Sequence, residues 1–287
     1  MRRRPRVAFV LSGGGNQGVS QVGMLRALLE REILPDVVIG TSAGALNGAA
    51  IAARPDLAGV DHLREVWTAI ESSAVFPQGR LAQVWNIIQR DSHLFSSDGL
   101  ADIITRARRA ERFEDLALPL RVIATDLDSG EEVVFARGPL QPALLASAAL
   151  PGIFPPVEHD ERRLIDGGVV NNVPLWHALS GPVDRVYVCN VSGELASRAT
   201  RSPLDVVMRA FTISRNQRFR LELRHAPPSV EVVDLPRPAD GREVSDFSGA
   251  EGLIDEAYRL ASRALDDHDD RRRRRFFRRR VAERALR

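Results

Sequence analysis

The sequence predicts an α/β fold, with a mainly parallel central sheet flanked by helices. Two observations carry this. A short apolar run, Val7–Leu11, feeds a glycine cluster and then a helical pattern. A second run, Val37–Ile39, passes through a tight turn into another helical pattern, Ala43–Ala53. Strand-like runs that alternate with helices in this way belong to parallel strands joined by helical crossovers.

The remaining elements follow in order. In the first helix, Val19–Glu32, apolar Val22, Leu25, Leu28 and Leu29 recur at helical spacing. Ala43–Ala53 is a helix of small residues that stops before Pro55, because a proline biases its predecessor away from helical dihedrals. Residues 57–112 hold three or four helical patterns, one starting near Leu100 behind a Ser97 or Asp98 cap. Leu120–Asp126 and Glu132–Ala136 read as strands joined by a turn at Asp128-Ser129-Gly130. Ala143–Ala149 is a brief helix ended by Pro151, and Val183–Val191 another apolar strand. A helix over Leu204–Leu223, a strand at Val230–Leu235 and an amphipathic helix at Leu253–Leu265 complete the series. With no internal repeat and no long linker, residues 5–265 are expected to form one domain. An acidic and then Arg-rich tail, 266–287, is expected to be flexible.

Composition narrows the function classes. Hydrophobic residues make up 44% of the 287 and charged residues 27%, values that exclude wholesale disorder and fibrous states. The single Cys189, inside a strand pattern, excludes a disulfide scaffold and a Cys-rich zinc module. The net charge of +2 is unevenly spread: Arg271–Arg287 holds ten Arg against one Glu, so the preceding chain is net acidic. The opening MRRRPR-VAFVL has the basic start of an export signal. Its apolar run nevertheless ends at Ser12, short of the roughly 7–15 residues such a signal needs. No uninterrupted apolar stretch approaches the roughly 18 residues of a membrane span. The expected location is cytoplasmic, with peripheral contact at the inner membrane face. The tail arginines beside Phe276 and Phe277 suit an anionic lipid surface. Nucleic acid, which would use the same electrostatics, is not the expected partner.

Three motifs carry chemistry. Gly40-Thr41-Ser42-Ala43-Gly44 stands between a strand and a helix, the setting in which a serine is held on a sharp turn with its hydroxyl above the sheet edge. Ser42 is therefore the candidate nucleophile, with Gly40 and Gly44 allowing the turn to close. Ser12-Gly13-Gly14-Gly15-Asn16-Gln17-Gly18 lies between the first strand and first helix. Successive glycines there let backbone N–H groups converge on an anion. The same loop fits the dinucleotide fingerprint at Gly13, Gly15 and Gly18, but that site wants an acidic residue at the end of the second strand. Asp36 stands before that strand instead. An oxyanion hole accounts for both loops, because consecutive βα loops of a parallel sheet share one carboxyl edge. The third motif is Asp166-Gly167-Gly168, which alone reads as a turn or as the base of a Ser–Asp dyad. The alternative base is histidine. His177 and His225 follow Ser42 in the chain order that hydrolase triads use.

GGGNQG, GTSAG and DGG in this order resemble the patatin-like phospholipase family. Ala146–Pro156 is similar to the segment before the Asp motif in bacterial members, and Gly252-Leu253-Ile254-Asp255 to their last helix. The resemblance implies a three-layer α/β/α sandwich. It implies that Ser42 attacks a lipid acyl ester, that Asp166 in its loop with Gly167 and Gly168 acts as base without histidine, and that Gly13, Gly14, Gly15, Asn16, Gln17 and Gly18 supply the oxyanion hole. A phospholipase A or lysophospholipase-type esterase with a lipid or acyl-ester substrate is expected, with no cofactor and no metal. One departure stands out. The family commonly has Arg or Lys just before the last glycine of the loop, where this chain has Gln17. The missing charge implies a lower rate or a less anionic substrate. It also leaves room for a low-turnover membrane-docking or regulatory protein on the same fold.

Overall fold

A computed structural model describes residues 4–72, 98–192, 203–239 and 248–285. The strands are β1 (Val7–Leu11), β2 (Val37–Thr41), β3 (Leu120–Asp126), β4 (Glu132–Phe135), β5 (Val157–His159), β6 (Arg162–Asp166), β7 (Arg185–Cys189) and β8 (Glu231–Asp234). They form one eight-stranded sheet in the order β5-β6-β3-β2-β1-β7-β8, with β4 also paired to β3. From β3 to β8 the neighbours are parallel. β4 and β6 run antiparallel to β3, and β5 to β6.

The described helices are α1 (Val19–Leu29), α2 (Ala43–Ala53), α3 (Leu57–Ser72), α4 (Asp98–Ala107), α5 (Leu140–Ala148), α6 (Leu175–Leu179), α7 (Pro203–Arg224) and α8 (Ala250–Ala285). Alternation along β1 assigns them to two faces. Val7, Phe9 and Leu11 pack into a core with α1, α2, α3, α4, α5 and α8. Ala8 and Val10 pack with Leu175, Ala178 and Leu179 of α6 and Phe219 of α7. A strand covered on both faces must be apolar at every position, and VAFVL is buried throughout. The result is the three-layer α/β/α sandwich that the resemblance implied.

Two elements are not foreseen from the sequence. The β5–β6 hairpin turns at Asp160-Glu161, with φ of 48° and 61°. Both residues are in the left-handed region that such a turn needs, but neither is the Asn or Gly that normally announces it. Helix α6, LWHAL, has five residues, too few for a helical period to register. The last helix, expected over 253–265, continues as helical backbone to Ala285, so the acidic and Arg-rich stretch is its C-terminal half. The other helical patterns expected between 57 and 112, with Ser97, fall in 73–97, outside the described residues. Among the described residues no helix is both long and apolar enough to cross a membrane.

Buried polar side chains hold the glycine loop to this frame. Gln21 of α1 donates from Nε2 to the carbonyls of Ser12 (2.8 Å) and Cys189 (3.0 Å). Asn47 of α2 donates to the Gly18 carbonyl (2.9 Å) and to Gln21 Oε1 (2.8 Å), and accepts from Trp67 Nε1 of α3 (2.9 Å). Both ends of the loop are thus fixed from the helical layer. Gln21→Leu removes the side-chain donor from both carbonyls in a buried setting, where an unsatisfied group costs about 1–3 kcal/mol, while the Cys189 carbonyl keeps the Ser12 N–H (3.3 Å). The variant is expected to unfold at a clearly lower urea concentration than wild type; an unchanged midpoint would contradict this role for Gln21.

Candidate active site

The C-terminal ends of β1, β2 and β3 bring the three motifs together. Ser42 joins β2 to α2 with φ 54° and ψ −125°, a strained conformation for a residue with a Cβ. Close backbone approach on either side demands glycine. A Cβ on Gly40 would lie 2.6 Å from the Gly44 carbonyl carbon, and one on Gly44 would lie 2.6 Å from the Ser12 oxygen. The strained turn is anchored by its neighbours. The Ser42 N–H donates to Ser147 Oγ of α5 (2.8 Å), and that hydroxyl donates to the Ile123 carbonyl (2.5 Å). Thr41 Oγ1 donates to the Asn171 carbonyl (2.9 Å).

Asp166 ends β6, where pairing with β3 turns it toward the same edge. Its N–H donates to the Ala149 carbonyl (2.9 Å), and its carbonyl accepts from Thr125 Oγ1 (3.1 Å). Its carboxyl accepts the Gly168 N–H at 2.7 Å, and the Ser42 hydroxyl is a second donor to it. Asp166 is 3% exposed. Burial pushes its carboxyl above the ordinary carboxylate range, opposed by the Arg215 charge, the Ser42 hydroxyl and the Gly168 N–H. Desolvation disfavours the ionised form, so this carboxyl takes up a proton more readily than a surface aspartate.

The glycine loop closes on both. Gly13 donates its N–H to the Asn172 carbonyl (3.0 Å), and Asn172 Nδ2 donates back to the Gly13 carbonyl (3.2 Å). A Cβ on Gly13 would lie 3.1 Å from the Ser42 Cβ. Residues Gly15–Gly18 form one 3₁₀ turn, in which Gln17 donates to the Gly14 carbonyl (3.1 Å). Of the amides expected to form an anion hole, those of Gly13 and Gln17 are therefore engaged within the protein. The N–H groups of Gly14 and Gly15 have no acceptor among the described residues.

The histidines lie elsewhere. His177 Nε2 pairs with Glu132, and His225 Nδ1 with the Leu221 carbonyl (2.8 Å). His62 meets the Arg106 carbonyl, His159 meets Asp160, and His268 meets Glu231. His93 falls outside the described residues. Cys189 is buried, which pushes its thiol pKa up and leaves no thiolate for reaction.

Three positions beyond the motifs belong to the site. Ser147 holds the Ser42 amide, and it lies in the Ala146–Pro156 segment that the sequence singles out only as a resemblance. Asn172 clasps the two loops, and the polar pair Asn171-Asn172 after the Asp loop is its one sequence signal. Arg215 comes from α7, and no motif announces it. Its Cζ lies 3.4 Å from where a Cβ on Gly168 would stand.

The chain is similar in sequence to known proteins. The chain matches the family model described as Patatin-like phospholipase over residues 9–179. It is 34% identical over 170 residues to a patatin-like phospholipase domain-containing protein 7 of Rattus norvegicus, covering 58% of this chain and 12% of the rat protein. It is 30% identical over 195 residues to an uncharacterized NTE family protein of Mycobacterium tuberculosis, covering 68% of this chain and 51% of that protein. The chain thus spans only part of the length of these relatives. Among solved structures, VipD from Legionella pneumophila aligns with a TM-score of 0.48 at 14% identity, over 93% of this chain and 67% of that one.

The raised carboxyl of Asp166 has a consequence for stability. Its unfolded pKa is about 3.9, and the folded value is higher, so folding favours the protonated form. The folded state then loses stability as pH rises from about 4 through the folded pKa, whereas an asparagine there does not titrate. Urea midpoints measured from pH 4.5 to 8 are expected to fall for wild type relative to Asp166→Asn. A rise with pH instead would mean that this carboxyl is already ionised at the acid end.

Proposed function

Because the chain belongs to the patatin-like phospholipase family, we propose that it is a serine acyl hydrolase of lipid esters, of the phospholipase A or lysophospholipase type. It works through Ser42 and Asp166 without histidine. The observation that carries this reading is the strained Ser42, its hydroxyl directed to a buried carboxyl that burial has made more basic. A general base is most effective when its pKa lies near the working pH, and an exposed aspartate would be too acidic for the task.

The reaction proceeds in two halves. Ser42 Oγ attacks the ester carbonyl while Asp166 accepts the hydroxyl proton. The oxyanion of the tetrahedral intermediate rests on the Gly14 and Gly15 amides, donors of a kind worth roughly 10²–10³ in rate each. Collapse breaks the bond to the alcohol oxygen, which takes the proton from Asp166 and departs, leaving Ser42 acylated. Water then gives its proton to Asp166 and its oxygen to the acyl carbon. A second collapse returns the proton to Ser42 and releases the fatty acid. Every group in these steps belongs to the chain, the ester or water, so the chemistry calls for no metal or organic cofactor.

Ser42→Ala and Asp166→Asn are each expected to lower kcat on p-nitrophenyl acyl esters by about 10³-fold or more. A fluorophosphonate probe is expected to label wild type at Ser42, located by peptide mapping. Turnover that survives in either variant removes that residue from the mechanism. The base must be ionised to accept a proton, so the acid limb of kcat/KM is expected above the ordinary carboxylate value of about 4. A limb at or below that value would contradict a carboxyl raised by burial.

A further inference from the structure

Two arginines, one helical turn apart on α7, approach the Asp loop, and their environments differ. Arg218 is saturated. It donates to the Val170 carbonyl (2.6 Å), to Glu132 (3.3 Å) and to Glu222 (2.9 Å). These bonds tie α7 to the segment that follows Asp166, and they are what a structural arginine at such a place does. Arg215 is not used in this way. Its Nε is buried and has no partner among the described residues. Its guanidinium carbon stands beside Gly168, and among the described residues the charge that acts on it is the Asp166 carboxylate.

Burying an arginine without hydrogen-bond partners is costly, and a guanidinium is built to hold a carboxylate or phosphate through parallel N–H donors. Arg215 is only partly buried as a residue, while its Nε is buried. Resting on the assignment of Ser42 and Asp166 above, we propose that Arg215 is a specificity-determining residue that receives a phosphate carried close to the scissile ester. The preferred substrates are then acyl esters of glycerol phosphate, in preference to neutral acylglycerols of the same chain. The phosphate stands beside the reacting carbonyl without taking part in bond making, and Arg215 holds it while Ser42 attacks. Arg215 lies outside residues 9–179, the part of the chain that the family model matches.

Binding and turnover separate this proposal from the reading beneath it. The binding probes are 1-O-octylglycerol 3-phosphate and 1-O-octylglycerol, ethers with no ester to cleave, used below their micellar concentrations. Calorimetry is expected to show the phosphate ether binding at least tenfold more weakly to Arg215→Gln, with a partial return in Arg215→Lys. The neutral ether is expected to bind all three proteins within threefold of one another. The turnover pair is 1-octanoylglycerol 3-phosphate and 1-octanoylglycerol, where the ratio of kcat/KM on the first to that on the second is expected to fall at least tenfold in Arg215→Gln. Equal losses on the charged and neutral partners would overturn the proposal, since Arg215 would then act through Asp166 or the fold. Unchanged binding of the phosphate ether would overturn it as well. The Ser42 and Asp166 assignment fails by a different result, namely the absence of fluorophosphonate labelling in wild type. The ether measurements stand whichever way that result falls. Circular dichroism of each variant checks folding, and Arg215→Lys, which keeps the charge, carries the test if the glutamine variant does not fold.

Discussion

The contact between the start of α2 and the end of β1 is the constraint on which the rest of the site depends. Gly44 lies against the Leu11 and Ser12 backbone, and Gly40 against Gly44 itself. With no side chain between them, the helix begins almost on top of the strand edge, and the one residue left to turn the corner is Ser42. Its positive φ is the geometric cost of that approach. The strain persists because the neighbours over-determine it: Ser147 holds the amide of Ser42, and Thr41 is tied to Asn171. Ser42 is thus aimed by backbone packing together with the Ser147 hydroxyl. On the reading proposed above, this is how the site does without an imidazole to orient the hydroxyl.

The electrostatics follow from the same crowding. Asp166 and Arg215 are both withdrawn from water, and each opposes the desolvation of the other. A direct ion pair would hold the carboxyl below the ordinary range and make it a poor proton acceptor. Here the carboxyl takes its close hydrogen bond from the Gly168 N–H, while the guanidinium acts across the loop. Burial consequently outweighs the attraction, and the carboxyl stays basic enough to accept a proton. The arginine Nε, in turn, has no partner among the described residues. The Glu132 cluster, with His177, Asn171 and Arg218, plays a separate part. It braces the back of the Asp loop and absorbs the histidine that chain order offered as a triad member.

Much of this was legible in the sequence where local chemistry dictates local structure. The alternation of apolar runs with helical periods marked β1 and α2 at their observed bounds and α1 and β2 to within three residues, because parallel central strands must be apolar on both faces. The motif glycines were legible for the same reason, since each marks a place where backbone meets backbone. What escaped depends on distant partners. The β5–β6 hairpin bends at two charged residues that adopt left-handed dihedrals only because the flanking strands pair. That Asn172, 159 residues away, accepts the Gly13 N–H is a long-range contact of the same kind. Gln17 argued for a site short of positive charge, but that argument reached only charges near in sequence. Arg215 arrives from a helix on the opposite face of the sheet.

That placement divides the labour between two parts of the chain. The residues that would make and break bonds, with the loops that fix them, all lie within 9–179 and are locked to one another through Ser147, Asn171 and Asn172. α7 touches this unit from outside, and its hold on the Asp loop runs through Arg218 to a backbone carbonyl, Val170. A backbone acceptor is indifferent to side-chain identity, so the anchoring of α7 does not depend on which residue occupies position 170. Arg215 reaches the same loop through its charge on Asp166 and takes no part in that anchoring. On the reading proposed above, the charge presented to the substrate is set by a helix that the reaction itself does not use. The same machinery can thereby be turned toward anionic or neutral esters by a single side chain on α7.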